Sequence, residues 1–277
     1  MSLKDYRFDG EEKLELRGMN TGAKKDGVDK EDILRRTEKN LGRIEALQDK
    51  LYADGRESVL IILQAMDAAG KDSTVKHVMG CVNPQGIDVH SFKQPTSEEL
   101  SHDYLWRAMK ALPARGKMAL FNRSYYEDVL VVKVHALQKN YKMPARVLED
   151  HDYFKKRYPQ NPHFEEDQYE NGCGVLKIFL NLSREKQKER FLERIQVEAK
   201  NWKFSQADIR ERAYWNDYMD AYEVAVNETA TRHSPWYVIP ADQKWYTRYL
   251  VSEAVLGVLE DIDPHYPKLP PEHAAEL

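Results

Sequence analysis

Apolar residues in this chain gather into five short runs, and the segments between them carry a helical period. The run over 59–63 (Val59, Leu60, Ile61, Ile62, Leu63) is apolar at every position, as in a strand covered on both faces. Runs over 87–92, 118–122, 175–182 and 236–240 read as four further strands. Asp29 stands where a helix cap belongs. Ile33, Leu41, Ile44, Leu47 and Leu51 follow mostly at spacings of three or four, which predicts a helix to about Tyr52. Ser97, ahead of Glu98 and Glu99, predicts a second helix to about Ala111, and similar patterns predict helices over 150–158, 184–195, 206–229 and 244–259. Strands alternating with helices predict an α/β fold: three αβα layers around a five-stranded parallel sheet. Ligands of such sheets bind beyond the carboxyl ends of the strands, where the segments after Gln64 and Phe121 emerge.

The flanks break the pattern. Residues 1–28 are polar, carry Gly10, Gly18, Gly22 and Gly27, and have no sustained period. Residues 263–277 carry Pro264, Pro267, Pro270 and Pro271 and cannot continue a helix. The expected division is a polar arm over 1–28, one domain over 29–262 and a Pro-rich tail over 263–277.

Composition narrows the class. Apolar residues make up 42% and charged residues 32%, as in a globular protein. No apolar run has the length of a membrane span and the N-terminus has no apolar signal region, so a cytoplasmic location without a membrane partner is expected. Cys81 and Cys173 are too few for a metal knuckle. His77, His90, His102, His135, His151 and His163 lack ligand spacing, which argues against a zinc centre. A net charge of −4, with no basic stripe carrying stacking aromatics, argues against a nucleic-acid partner. Ser73 and Ser124 have no nucleophile-elbow signature, which argues against hydrolase triad chemistry.

The chemistry-bearing residues lie at the strand ends. After the first strand come Ala65-Met66-Asp67-Ala68-Ala69-Gly70-Lys71-Asp72-Ser73-Thr74, a small-residue loop with Gly-Lys opening a helix. That order suits a phosphate cradle: backbone amides of Ala68, Ala69, Gly70, Lys71, Asp72, Ser73 and Thr74 gather on an anion, and Lys71 adds a mobile charge. It departs from the usual G-x-x-x-x-G-K-[ST] loop where Ala65 replaces the first Gly and Asp72 the Mg²⁺-binding hydroxyl. After the third strand come Asn122, Arg123, Ser124, Tyr125, Tyr126, Glu127 and Asp128. Asn122 is neutral at a strand tip, so Asp67, Asp72, Glu127 or Asp128 must hold a metal, while the Arg123 guanidinium suits a transferring phosphoryl group. The stretch over 184–212 alternates acidic and basic residues like a solvated helix. Arg190 and Arg194, one turn apart, and Lys203 beside Trp202 are its candidates for cations over the phosphates.

Several of these stretches together resemble the polyphosphate kinase 2 family: 65–72, Val82-Asn83-Pro84-Gln85-Gly86, Ala111-Leu112-Pro113-Ala114-Arg115-Gly116, 121–130, Lys200-Asn201-Trp202-Lys203-Phe204 and 235–242. The resemblance runs from about Asp29 to about Leu259. It implies a P-loop kinase core related to thymidylate kinases, with a helical lid over about 184–215. It also implies transfer of the terminal phosphoryl group of inorganic polyphosphate to a nucleotide with Mg²⁺ as cofactor, in a homodimer or homotetramer. By the same resemblance Asp67 would hold metal, Lys71 would bind phosphate oxygens and Arg123 would neutralise the charge in transfer; Asp72, read from the loop itself, is the second expected metal ligand. Asn122 and Glu127, with Arg123, would face the nucleotide. Many members have Asp at the position of Asn122 and Asn at that of Glu127, a departure that resembles the subgroup using both AMP and ADP. Two rival expectations are an ATP-dependent nucleoside monophosphate kinase on the same core, and a binder of polyphosphate or nucleic acid without catalysis.

Overall fold

A computed structural model describes residues 2–23 and 27–269 of the chain. Five strands form the parallel core: β2 (Ser58–Ala65), β3 (Ile87–Ser91), β4 (Met118–Asn122), β5 (Cys173–Asn181) and β6 (Trp236–Pro240). A sixth, β1 (Arg7–Phe8), pairs antiparallel with β6, and the sheet order is β1-β6-β5-β2-β4-β3. The five-stranded parallel sheet therefore gains one edge strand, supplied by the segment expected to be only a polar arm. That segment also buries Tyr6, Leu14, Leu16 and Ala23. Leu14 and Leu16, each contributing about 1.5–3 kcal/mol when fully buried, help Tyr6 and Ala23 fasten it to the domain despite its lack of period.

The helices are α1 (Lys30–Asp54), α2 (Lys71–Val78), α3 (Trp106–Met109), α4 (Val131–His135), α5 (Ala145–Leu148), α6 (Tyr153–Glu170), α7 (Arg184–Gln196), α8 (Glu198–Asn201), α9 (Gln206–Glu211), α10 (Trp215–Thr229) and α11 (Lys244–Ile262). Central β2 is buried along its whole length. Val59, Ile61 and Leu63 face a core built with Ile44 and Leu51 of α1, Val78 of α2 and Leu250 of α11. Leu60 and Ile62 face the opposite core with Tyr158 and Phe164 of α6 and Tyr222 of α10. These are the three layers. Asp29 caps α1 as expected, accepting from the amides of Glu31 and Asp32, and Gly55 ends it at φ 65°.

Three helix expectations need correction. The helix expected from Ser97 is two short turns: Thr96 and Glu99 cap each other reciprocally, and Asp103 takes the amide of Leu105 to start α3. Local side-chain acceptors outcompete a continuous ladder there, and Leu100 and Met109 remain 43% and 51% exposed. The helix expected over 150–158 runs instead through Pro159 and Pro162 to Glu170, because Asn161, Phe164 and Glu165 are buried beyond them. The helix expected over 206–229 breaks in a 3-10 turn at Arg212–Tyr214, where Arg212 bonds back to Arg184 O and Gln187 of α7. The described part of the tail lies against α1, with His265 N donating to Asp54 and Tyr266 to Asp49. Pro270, Pro271 and the rest of 270–277 fall outside the described residues. Among the described residues no helix is long and apolar enough to cross a membrane.

Candidate active site

β2 and β4 are hydrogen-bonded neighbours in register, Leu63 opposite Asn122, so the two loops expected to carry chemistry leave the sheet side by side. The loop after β2 turns at Ala68 (φ 61°) and Gly70 (φ 100°). Gly70 adopts that angle without strain, whereas Ala68 adopts it against its Cβ. After β4 the chain turns sharply at Arg123, also in the left-handed region (φ 64°), while its amide donates to Leu63 O at 3.1 Å. A non-glycine residue held there is uncommon. The turn aims a guanidinium at the neighbouring loop: Arg123 Nη2 lies 3.1 Å from Asp67 Oδ1 and Nη1 3.8 Å from Glu127 Oε2.

Both loops and α7 enclose a cavity of about 580 Å³. Asp67, Ala68, Ala69, Gly70, Lys71, Asp72, Ser73, Asn122, Arg123, Arg190, Arg194 and Lys203 all line it, so most of the expected site residues do converge. Two do not reach its wall. Thr74 is buried within α2, and Glu127 lies beneath Arg123, where the Gln64 amide, itself held by Ser124, donates to Glu127 Oε1 at 2.9 Å. Arg190 lines the wall but its guanidinium is committed elsewhere: Nη1 donates to Ala68 O (2.9 Å) and Ala69 O (2.7 Å), and Nη2 to Ala241 O (2.7 Å) and Asp242 O (3.2 Å). Those four carbonyls take both terminal nitrogens of the guanidinium that was expected to face phosphate. Arg194 donates to Lys203 O and Asp208, and Lys203 Nζ lies 3.6 Å from Asp72.

Burial and charge oppose one another in this site. Burial lowers the pKa of Lys71 and the Arg123 charge lowers it further, against Asp67, Glu127 and Asp72. Lys71 Nζ rests on Ala65 O at 2.9 Å. Glu127 is raised by burial despite Arg123 and Lys71, and Arg123 is raised chiefly by Glu127. A phosphate arriving here would meet cations whose countercharges are already fixed.

Asp67 and Asp72 supply two carboxylates on the cavity wall. Asp67 meets Arg123 through Oδ1, and Asp72 Oδ1 accepts from Asn122 Nδ2 at 3.0 Å. Among the described residues no trio of His, Cys, Asp and Glu converges. One or two carboxylates beside a phosphate cradle fit Mg²⁺, which keeps several waters and takes the rest of its ligands from substrate phosphates.

Behind Arg123 the segment Tyr125–Val129 is pinned by a charged pair that sequence reasoning missed. Lys177 Nζ on β5 and Glu165 Oε2 on α6 are 2.5 Å apart and fully buried. Glu165 Oε1 accepts from the hydroxyls of Tyr125 and Tyr126, both at 2.7 Å. Lys177 also donates to Thr229 O at 2.8 Å. A Lys inside an apolar strand run was the available signal, since a buried cation demands a partner. Lys93, Glu193, Lys200 and Lys244 also line the cavity. Lys244 opens the helix that follows β6, a place where the strand-end rule points.

Comparisons with known proteins give the family. The model of the family described as polyphosphate kinase 2 matches residues 27–267. An ADP-polyphosphate phosphotransferase of Rhodopseudomonas palustris is 42% identical over 278 residues, covering 100% of this chain and 96% of the relative. An AMP/ADP-polyphosphate phosphotransferase of Meiothermus ruber is 40% identical over 281 residues, covering 99% and 98%. The crystal structure of polyphosphate kinase 2 from Arthrobacter aurescens superposes with a TM-score of 0.91 at 38% identity, over 100% of this chain and 95% of that one. Matched over residues 27–267 and superposed along its length, the chain belongs to the polyphosphate kinase 2 family.

Proposed function

We propose that the protein transfers the terminal phosphoryl group of inorganic polyphosphate to AMP and to ADP, forming ADP and ATP. The observation that carries the reading is the single cavity in which the loop 67–73, Lys71 and Arg123 meet Arg194, Lys200, Lys203 and Lys244. So many cations around one loop suit two polyanions held together. The names of the Rhodopseudomonas and Meiothermus relatives support the same donor and acceptors.

In the reaction an oxygen of the acceptor's terminal phosphate attacks the end phosphorus of the polyphosphate chain. The bridging P–O bond to the next phosphorus breaks, and a chain one unit shorter leaves with the electron pair. That attacking oxygen carries charge near neutral pH, so the site needs alignment and charge neutralisation more than a strong base. The loop amides and Lys71 hold donor oxygens, and Arg123, steadied by Asp67 and Glu127, faces the group in flight. Asn122 and Arg123 border the acceptor, and Glu127 acts through Arg123. Asp67 and Asp72 would hold Mg²⁺, which when bound screens the repulsion between the two phosphate chains. Arg194 and Lys203 extend the positive wall over the donor.

The test is chromatography of nucleotides after incubating purified protein with Mg²⁺, polyphosphate and AMP. ADP and then ATP are expected. Product formed only when ATP replaces polyphosphate as donor would overturn the reading.

A further inference from the structure

The carbonyl oxygens of the phosphate loop are each taken by a neighbour. Lys71 Nζ holds Ala65 O (2.9 Å), the Ala69 amide holds Met66 O (3.2 Å) and Gln187 Nε2 holds Asp67 O (2.9 Å). Arg190 Nη1 holds Ala68 O and Ala69 O, and Ser73 Oγ holds Gly70 O at 3.1 Å. Three of these six carbonyls go to two side chains of α7, three residues apart and on one helical face. Gln187 and Arg190 are both buried. Each is also fixed from behind: Arg212 Nη1 donates to Gln187 Oε1 at 2.8 Å, and Arg190 Nη2 reaches the carbonyls of Ala241 and Asp242 beyond β6.

A trans peptide unit points its C=O and N–H to opposite sides. Drawing Asp67 O and Ala69 O toward α7 therefore turns the amides of Ala68 and Gly70 away from it. We propose that Gln187 and Arg190 form a carbonyl clamp that holds the loop in its anion-binding shape, so that these two residues of α7 act on phosphate through the loop and not by contact. Both are positioning residues for the transfer, and the proposal rests on the reading that this loop binds phosphate. The clamp also explains how Ala68 is held at a positive φ: its carbonyl and those flanking it are fixed from one side. A direct phosphate ligand would need free guanidinium donors, and Arg190 has both terminal nitrogens on backbone oxygen. Gln187 carries no charge, so its part in the clamp separates loop shape from electrostatics.

The experiment is calorimetric titration of the full chain with inorganic polyphosphate over a series of salt concentrations, with thermal melts to check folding. Gln187→Leu removes no charge and Arg190→Lys keeps one, yet each is expected to weaken binding about 10-fold through misplaced amides. The slope of log affinity against log salt stays that of the unaltered protein for both. Lys71→Ala, which deletes a contacting cation, is expected to flatten that slope by about 0.7, the value per contact for a single-stranded polyanion. Unchanged affinity in Gln187→Leu or in Arg190→Lys overturns the clamp, as does a flattened slope in either. If Arg190→Lys does not fold, Gln187→Leu decides alone. An unaltered protein that shows no Lys71-dependent binding overturns the phosphate-loop reading itself, whereas loss of only the clamp effects leaves that reading standing.

Discussion

Replacing Asp128 by Asn should flatten the pH dependence of folding stability. Asp128 is buried five residues after Arg123, with a carboxylate oxygen 3.1 Å from Arg157 Nε and the other 3.4 Å from Tyr141 Oη. Burial raises its pKa from 3.8 to about 6, more than the Arg157 charge and the Tyr141 hydroxyl lower it. A raised carboxyl pKa means that the folded state prefers the protonated form. The stability it contributes is full below about pH 4, fades as pH rises to about 6 and is absent above. A shift of about two units at 1.36 kcal/mol each corresponds to about 3 kcal/mol. Urea unfolding at a series of pH values would measure it. Between about pH 4 and 7 the unaltered protein should lose about 3 kcal/mol more than Asp128→Asn loses, while the contributions of carboxyls common to both proteins cancel in the comparison. A difference between the two proteins that stays constant with pH, or that grows in the opposite direction, would refute the reasoning.

Other substitutions test other parts of the account. Lys71→Ala should lower turnover at least about 100-fold, the effect of one cation worth roughly 3 kcal/mol in transfer, with an unchanged melting temperature; retained turnover would remove Lys71 from the site. Lys177→Met strands the Glu165 carboxylate among Tyr125, Tyr126 and Ser234, and should cost about 3–5 kcal/mol in urea unfolding. A loss below about 1 kcal/mol there would show that the pair does not hold the segment behind Arg123. Asn122→Asp sets a carboxylate against Asp72 and should change the ratio of activities with AMP and ADP; an unmoved ratio would separate Asn122 from acceptor choice.

What the sequence revealed depended on how local the cause was. The full apolar run of β2, the Asp29 cap and the Gly-Lys turn are local features, and each lies where its residues placed it. β1 was illegible because two residues, Arg7 and Phe8, carry no period and take their strand from pairing with β6. α6 passes through Pro159 and Pro162 because tertiary burial of Asn161, Phe164 and Glu165 offsets the missing donors. At the site, Asp67, Lys71 and Arg123 were legible from their place at strand ends. The positive φ of Arg123 was not, since nothing in an Arg announces it. Arg190 was read as a cation for phosphate because its charge is visible in sequence and its partners are not. Gln187 gave no electrostatic signal at all, although it stands three residues before Arg190 on the same helix.

The central claim is that one loop and its ring of cations move a phosphoryl group from polyphosphate to a nucleotide. Single-turnover reaction of the protein with radiolabelled polyphosphate, AMP and Mg²⁺ tests this most directly. The account predicts label in the β-phosphate of ADP, at a rate that collapses in Lys71→Ala. Label released as inorganic phosphate, or ADP formed without label, would contradict it.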